Sequence, residues 1–388
     1  MRIVHTSDWH AGRIWKGRDR LNELQAIFDE LAGFVERDKI DVLLVSGDVF
    51  DSGAPSAAAE RAVFRFFRRM GATGVKTVVI AGNHDSAARL EAWGTLTELV
   101  DVYAVARPRA ADRGGVVRFD TRSGEHAIIA AIPWAPVRDI VTALELAVDE
   151  TAARQRYADW MKRIVDNLRG SFRGDAVNLL MAHTLLDGAQ FGTSERRVHL
   201  GEDWAATAQV LPSDAHYVAL GHIHKPQRIE AAPSPTCYAG SPLQLDFGEA
   251  GEEKSFVLID ARPGRPAQIQ RIPYRSGVPL RRIRATLAEL ERDVPVLRNA
   301  GWLSVTVPLT APDPDVNGKV RRLLGNALVV DAELPQEDEQ RPEVDRASLS
   351  PAELFRAYFR KAHGGAEPAD SLLEVFMELR RQAEGSDE

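Results

Sequence analysis

Five short apolar runs in this chain each end on residues able to hold a metal ion, and no other feature restricts its possible folds as much. Arg2 to Ser7 leads to Asp8-Trp9-His10, Ile40 to Ser46 leads to Gly47-Asp48-Val49-Phe50-Asp51, and Lys76 to Ala81 leads to Gly82-Asn83-His84-Asp85. Val177 to Met181 leads to Ala182-His183-Thr184, and Tyr217 to Leu220 leads to Gly221-His222-Ile223-His224. Runs of this length, bounded by Gly or Asp, suit strands buried between layers, and α/β sheets gather their ligand sites at strand carboxyl ends. The strand ends are therefore expected to converge on one cleft.

The residue types in these strings are those a two-metal hydrolytic site needs. Residues two apart in a strand share a face, so Asp8 with His10 and His222 with His224 can each form a clamp if strand geometry continues through them. Asp48 follows a glycine that permits a tight turn, and a carboxylate placed between two clamps can bridge two ions. Counting donors gives one ion Asp8, His10, Asp48 and His224, and the other Asp48, Asn83, His183 and His222. Two carboxylates against two dications leave a net positive charge that can polarise a phosphate and acidify a water. Imidazole-rich ligation suits manganese, iron or zinc better than calcium or magnesium, and manganese is the expected metal. His84 adjoins Asn83 without needing to bind metal, so it is expected as the catalytic proton donor, with Asp51 fixing its tautomer.

Taken singly, the strings are weak. Asp-x-His is more often a surface pair than a ligand pair, Gly-Asp is common in strand-end turns, and a lone His183 can be a satisfied core histidine. Their joint occurrence in this order, each at a strand end, points to a dinuclear phosphoesterase. His5, His126, His199, His216 and His363 read as structural or solvated.

Strand patterns alternate with helical ones up to about Tyr274. Helices are expected over Arg18 to Asp38, over Ser56 to Met70 with Ser56 as N-cap, and over Val137 to Leu168 with Leu144, Ala147, Val148, Ala152 and Tyr157 on its apolar face. Strands then follow one another with few helices between, which favours two sheets with helices outside them. A small α+β unit is expected over 278–331, with strands at Leu280 to Thr286, Gly301 to Val307 and Ala327 to Val330, helices at Leu287 to Asp293 and Val320 to Leu324, and a turn at Asn317-Gly318. A charged linker at 335–347 precedes two helices, Ser350 to His363 and Pro368 to Ala383, within 350–388. Leu354, Phe355, Tyr358, Phe359, Leu372, Leu373, Val375, Phe376 and Leu379 give that pair more apolar surface than it can hide internally, which marks either a partner surface or packing on the chain's own body.

The chain has 388 residues and a net charge of −7, so it is not coated in basic charge for nucleic acid, although a local basic groove is compatible with that sum. Arg13, Lys16, Arg18, Arg20, Arg89, Arg196-Arg197 and Lys225 flank the ligand strings and are the candidate phosphate contacts. A single cysteine, Cys237, excludes an internal disulfide and fits a reducing cytoplasm. No secretory signal or membrane-spanning run is visible, and a cytoplasmic, nucleoid-associated location is expected.

The strings resemble the calcineurin-like metallophosphoesterase pattern of Asp-x-His, Gly-Asp-x-x-Asp, Gly-Asn-His-Asp/Glu, His and Gly-His-x-His. The flanking Met1 to Arg13, Gly47 to Gly53, Ala81 to Ser86, Gly221 to Gln227 and Tyr238 to Gln244 are similar to the SbcD family of bacterial nucleases, relatives of the Mre-type nucleases. The resemblance implies a four-layered αββα nuclease domain over 1–274, a capping domain, and C-terminal helices that dock on an SbcC-type ABC ATPase. It also implies a homodimer within an SbcCD heterotetramer, with Ser56 to Met70 (stripe Val63, Phe66, Phe67) and Ala87 to Leu99 as candidate interface helices. The implied activities are manganese-dependent 3′ to 5′ exonuclease on duplex DNA ends and endonuclease on single strands or hairpins. A small-molecule phosphodiesterase or phosphomonoesterase would share the ligands, but would have less use for the region after Tyr274. A non-enzymatic scaffold would not need every ligand.

Overall fold

A computed structural model describes residues 1–135, 150–190, 206–334, 350–362 and 365–384. Two six-stranded sheets dominate it. The first, in the order β14-β13-β1-β4-β5-β6, is built from β1 (Arg2–Thr6), β4 (Val42–Val45), β5 (Lys76–Ile80), β6 (Val102–Val105), β13 (Ser255–Arg262) and β14 (Arg265–Pro273). The second, in the order β11-β12-β10-β9-β8-β7, is built from β7 (Val116–Asp120), β8 (His126–Ile132), β9 (Val177–His183), β10 (Tyr217–Gly221), β11 (Gln227–Arg228) and β12 (Thr236–Tyr238). β1, β4, β5 and β6 run parallel in one sheet, as do β8, β9, β10 and β12 in the other.

The layering follows from strand alternation. Ile3, Val42, Leu44 and Val78 face the other sheet, where Ile129, Leu179, Met181 and Ala219 meet them. Val4, Leu43, Val45 and Val79 face outward onto helices α1 (Leu21–Arg37) and α2 (Ala57–Thr73), which supply Leu24, Ile27, Phe28, Val63 and Phe66. A shorter helix, α3 (Ala87–Thr97), follows β5. Outside the second sheet, Ala130, Leu180 and Leu220 pack against Tyr157, Met161, Val165 and Leu168 of α4 (Glu150–Arg169). The result is the expected αββα sandwich. Ser56 caps α2, its hydroxyl accepting the Ala59 N–H at 3.2 Å.

Several sequence expectations are corrected. Arg18 and Asp19 are not helical: they form β3 (Arg18–Asp19), paired with β2 (Ile14–Trp15) around Lys16 and Gly17, both at positive φ as a two-residue hairpin turn requires. The Val63, Phe66 and Phe67 stripe of α2 is core, wrapped around Trp9, and offers no face to a second copy. Of the helix expected over Val137 to Leu168, the described part, Glu150–Arg169, is helical; residues 137–149, with Leu144, Ala147 and Val148, and the side chain of Ala152 lie outside the described residues, as do Arg196, Arg197, His199, His363 and the linker 335–347.

A three-stranded parallel sheet, β15 (Leu280–Arg284), β16 (Trp302–Pro308) and β17 (Ala327–Glu333), carries crossover helices α5 (Leu287–Leu297) and α6 (Val316–Leu323) and belongs to the same compact unit as the sandwich, Met1–Glu333. Asn317-Gly318 lies inside α6 and not in a turn, because Val316, Val320 and Leu324 recur every fourth residue and are buried together. Buried Arg20 ties this sheet to the sandwich. Its guanidinium pairs with Glu23 at 2.7 Å and donates to the Gln244 carbonyl at 3.0 Å, while Glu23 accepts the Trp302 indole N–H at 3.1 Å. Arg20 is therefore structural, which removes it from the candidate phosphate contacts.

Residues 334–388 form a second unit with α7 (Pro351–Ala362) and α8 (Asp370–Glu384). Ser350 and Glu353 form a capping box at the start of α7, and Phe355 stacks on Phe376 of α8 with ring centroids 4.3 Å apart. Tyr358, Val375 and Leu379 are exposed at 68%, 55% and 61%.

Candidate metal centre

The carboxyl ends of β1, β4 and β5 point to the same place as those of β9 and β10, and the predicted residues come together there. Asp8, His10, Asp48, His183 and His224 are buried, while Asn83, His84 and His222 are half-buried. The strand spacing works for a reason other than continued strand geometry. Asp8, His10, Asp48 and His222 all sit at positive φ, at 52°, 46°, 49° and 100°, so each turns its side chain into the cleft from a strained backbone. Trp9, between two of them, points the opposite way into the aromatic core, its indole N–H donating to Thr6 Oγ1 at 3.0 Å.

Two glycines are needed for the close approach of these loops. A Cβ on Gly82 would lie 2.1 Å from Asp48 Oδ1, and one on Gly221 would lie 1.9 Å from the Ser46 carbonyl oxygen.

The donors form two clusters. In the first, His10 Nε2 faces His224 Nε2 at 3.2 Å, with Asp8 within reach of both. In the second, Asn83 Oδ1 faces His183 Nε2 at 2.9 Å and His222 Nδ1 at 3.0 Å. Asp48 Oδ2 stands between them, 3.7 Å from His10 Nε2 and 3.6 Å from His183 Nε2. The His84 amide N–H holds Asp48 Oδ1 at 2.8 Å, and the His222 amide N–H holds Asp8 Oδ1 at 3.0 Å.

The tautomers follow from the outer partners. Asp51 Oδ1 lies 3.2 Å from His10 Nδ1, the Ser46 carbonyl 2.8 Å from His183 Nδ1, and Glu249 Oε1 3.4 Å from His224 Nδ1. Each of these oxygens only accepts, so each Nδ1 carries the proton and each Nε2 is a lone pair. Burial lowers all four, helped by neighbouring imidazoles at His10, His183 and His222 and by the Lys254 and Arg13 charges at His224; His10 and His222 fall to about 3, and the rings are neutral. Neutral lone pairs thus face each other at hydrogen-bond distance with no proton between them. Burial, then the Asp8 and Asp85 carboxylates, pushes Asp48 well above the usual carboxylate range. Divalent cations relieve both repulsions at once, and the mixed N/O donor set fits them.

His84 donates through Nδ1 to the Asp51 main-chain carbonyl at 2.9 Å, which leaves Nε2 to exchange a proton. The expectation that the Asp51 side chain fixes this tautomer is corrected: its carboxylate is taken by His10 and by Arg13 at 3.1 Å, and the backbone of the same residue does the fixing. His84 also stands close enough to His10 and Asp48 to share a metal with them.

Two residues escaped the sequence reading. Asp85 accepts the amides of Val49, Phe50 and Gly82 at 3.2, 3.0 and 2.9 Å, locking the Asp48 loop to the Asn83 loop. Glu249 supports His224 and is itself paired with buried Lys254 at 2.6 Å. The Gly-Asn-His-Asp string contained the first; no local signal marked the second. Around the cleft, Lys16 is exposed at the hairpin tip, Arg18 lies over the Trp302 ring at 5.1 Å, Arg89 pairs with Glu60, and Lys225 donates to Gln190.

Residues 1–226 match the family model described as calcineurin-like phosphoesterase, and residues 276–363 match one described as Type 5 capsule protein repressor C-terminal domain. The chain is 30% identical over 393 residues to the SbcD component of nuclease SbcCD from Bacillus subtilis (strain 168), covering 100% of each chain. It is 29% identical over 388 residues to the protein of that name from Escherichia coli (strain K12), covering 93% of this chain and 92% of that one. For Rhodobacter capsulatus the figures are 30% over 315 residues, 75% and 76%.

Proposed function

Because this chain belongs to the calcineurin-like phosphoesterases, and among them to the SbcD family of SbcCD nucleases, we propose that its metal-dependent nuclease chemistry is carried out on DNA by the two clusters that share Asp48. The facing lone pairs of His10 with His224, and of His183 with Asn83, are the observation that carries this reading. Asp8, His10, Asp48 and His224 would hold one ion, and Asp48, Asn83, His183 and His222 the other. Two dications there would supply Lewis-acid polarisation of a phosphodiester and would make a water more acidic, and manganese suits the donor set. Asp48 sets the spacing of the two clusters, and the left-handed backbones of Asp8, His10, Asp48 and His222 hold their side chains in place before substrate arrives. His84 Nε2 delivers a proton to the leaving oxygen while the Asp51 carbonyl keeps the ring oriented.

Duplex-end exonuclease and hairpin endonuclease activity fit the surroundings of the cleft, where Arg13, Lys16 and Lys225 can engage phosphates without reading bases. Leu96 and Leu99, exposed at 68% and 84% around the end of α3, suit contact with a second copy. The exposed apolar residues of α7 and α8 suit an SbcC-type ATPase. No helix among the described residues is long and apolar enough to cross a membrane.

The test is product mapping on end-labelled duplex, hairpin DNA and a chromogenic diester side by side with manganese. Stepwise mononucleotide release from the 3′ end and hairpin opening are expected. Cleavage of the diester alone would favour a small-molecule phosphodiesterase.

A further inference from the structure

Three of the four candidate metal-binding histidines are fixed by a hydrogen bond on the nitrogen that faces away from the clusters: His10 by Asp51, His183 by Ser46 and His224 by Glu249. Metal-binding histidines nearly always have such a partner, because it sets both the tautomer and the ring plane. His222 is the exception. It addresses Asn83 through Nδ1, and among the described residues its Nε2 has no hydrogen-bond partner. Its backbone, at φ 100°, is also the farthest of the four strained site residues from an ordinary conformation.

An aromatic ring constrains this imidazole from its face instead. Trp134 follows β8 and is half-buried; its indole stacks on the His222 ring with centroids 5.2 Å apart and planes 24° apart. The same indole meets His183 edge-on at 6.1 Å, and the His183 and His222 rings meet edge-on at 5.4 Å. The Trp134 main chain is itself anchored, its N–H donating at 2.9 Å to the carbonyl of Ala81, two residues before Asn83. The indole is thus attached to the loop that supplies the amide oxygen of the second cluster, and its face fixes the plane of one of the two imidazoles directed at that oxygen.

We propose that Trp134 is the positioning residue of the second metal cluster, its stacked indole replacing the hydrogen bond that orients the other three histidines. The proposal rests on the two-cluster reading given above. Its consequence is selective: loss of the indole weakens one ion of the pair, leaving the Asp8, His10 and His224 cluster intact. The stack constrains the plane of the ring and places no acceptor at Nε2.

The experiment is equilibrium dialysis of the full chain against manganese, with metal counted per chain, for wild type, Trp134→Ala, Trp134→Leu, Trp134→Phe and His222→Ala. Expected are two ions per chain in wild type and Trp134→Phe, and a second ion weakened roughly ten-fold or more in Trp134→Ala, Trp134→Leu and His222→Ala, the first being unchanged. Trp134→Ala added to His222→Ala should cost nothing further. Thermal unfolding in chelator keeps a folding defect apart from a metal defect, and Trp134→Leu, which fills most of the space without a ring, keeps the test open if Trp134→Ala is unstable. Two tightly held ions in Trp134→Leu, or a second ion lost equally in Trp134→Phe, overturns the proposal. Fewer than two ions in wild type overturns the two-cluster reading itself.

Discussion

Glu249 Oε1 lies 3.4 Å from His224 Nδ1, and the glutamate is fully buried. Burial opposes its ionisation, but the hydrogen bond from His224 and the charge of Lys254 outweigh that and hold the carboxyl well below its ordinary value. A permanent carboxylate behind an imidazole raises its basicity as a ligand. Glu249→Gln should therefore weaken metal binding at the first cluster by about 10- to 100-fold. It should also lower the melting temperature, because buried Lys254 loses its 2.6 Å partner. Chelator competition measures the first effect, and unchanged affinity would remove Glu249 from the site.

Asp48→Asn should abolish cleavage while stabilising the metal-free protein. The carboxylate is buried beside Asp8 and Asp85, so without cations its charge opposes folding at neutral pH. Thermal unfolding in chelator at pH 7 should show the variant melting at or above wild type. A variant that retains full activity refutes the bridging role.

His84→Ala should leave metal content near that of wild type and reduce turnover by about a hundred- to ten-thousand-fold, the usual range for a lost general acid. Because His84 stands near His10 and Asp48, metal counting is the decisive measurement. A lost ion would make His84 a ligand.

Acid should destabilise the metal-free protein from pH 6.5 downward. His10 and His222 titrate at about 3 in the fold against 6.5 for the free residue, so the unfolded chain takes up their protons first. Their contribution is complete above pH 6.5 and is lost as the pH falls toward 3, at about 1.4 kcal/mol per unit for each. Asp48 and Asp85, both shifted upward, act in the opposite sense, so the slope is best read by urea unfolding in chelator with Asp48→Asn, which removes the larger of the two upward shifts. A flat profile between pH 6.5 and 4.5 in that variant would falsify the neutral-histidine picture.

Removing residues 350–388 should spare basal manganese-dependent cleavage and abolish copurification with an SbcC-type ATPase. The sandwich and small sheet form one compact unit without those residues. Replacing Tyr358 and Leu379 by Glu should mimic the deletion; continued copurification would assign the helices another role.

The strands and the donor strings were legible because both are local. Four of the five strand runs end on Gly or Asp, and apolar residues recur with a simple period. What was not legible depends on the folded chain. The left-handed turn of Asp8 and His10 has no glycine to announce it, and the support that Glu249 gives His224 spans 25 residues of unrelated sequence. Phe66 and Phe67 form a stripe of a kind that is more often core than interface, and only their packing against Trp9 decides for core. Arg20 looked like the other basic residues near the cleft, and only its pairing with Glu23 separates it from Lys16.

The first sheet is interleaved in sequence with the second: β1 lies between β4 and β13, and β13 follows the whole second sheet in the chain. Ser46, at the end of β4, reaches across the interface, its carbonyl accepting from His183 and its hydroxyl donating to the Ala219 carbonyl at 3.3 Å. On a ribosome, a chain that has emerged only as far as its first three donor strings has neither a closed sheet nor an imidazole from the far side. The donor set is complete only once His224 has been made, and the sheet that carries Asp8 and Asp48 is closed only by β13 and β14, which come later still.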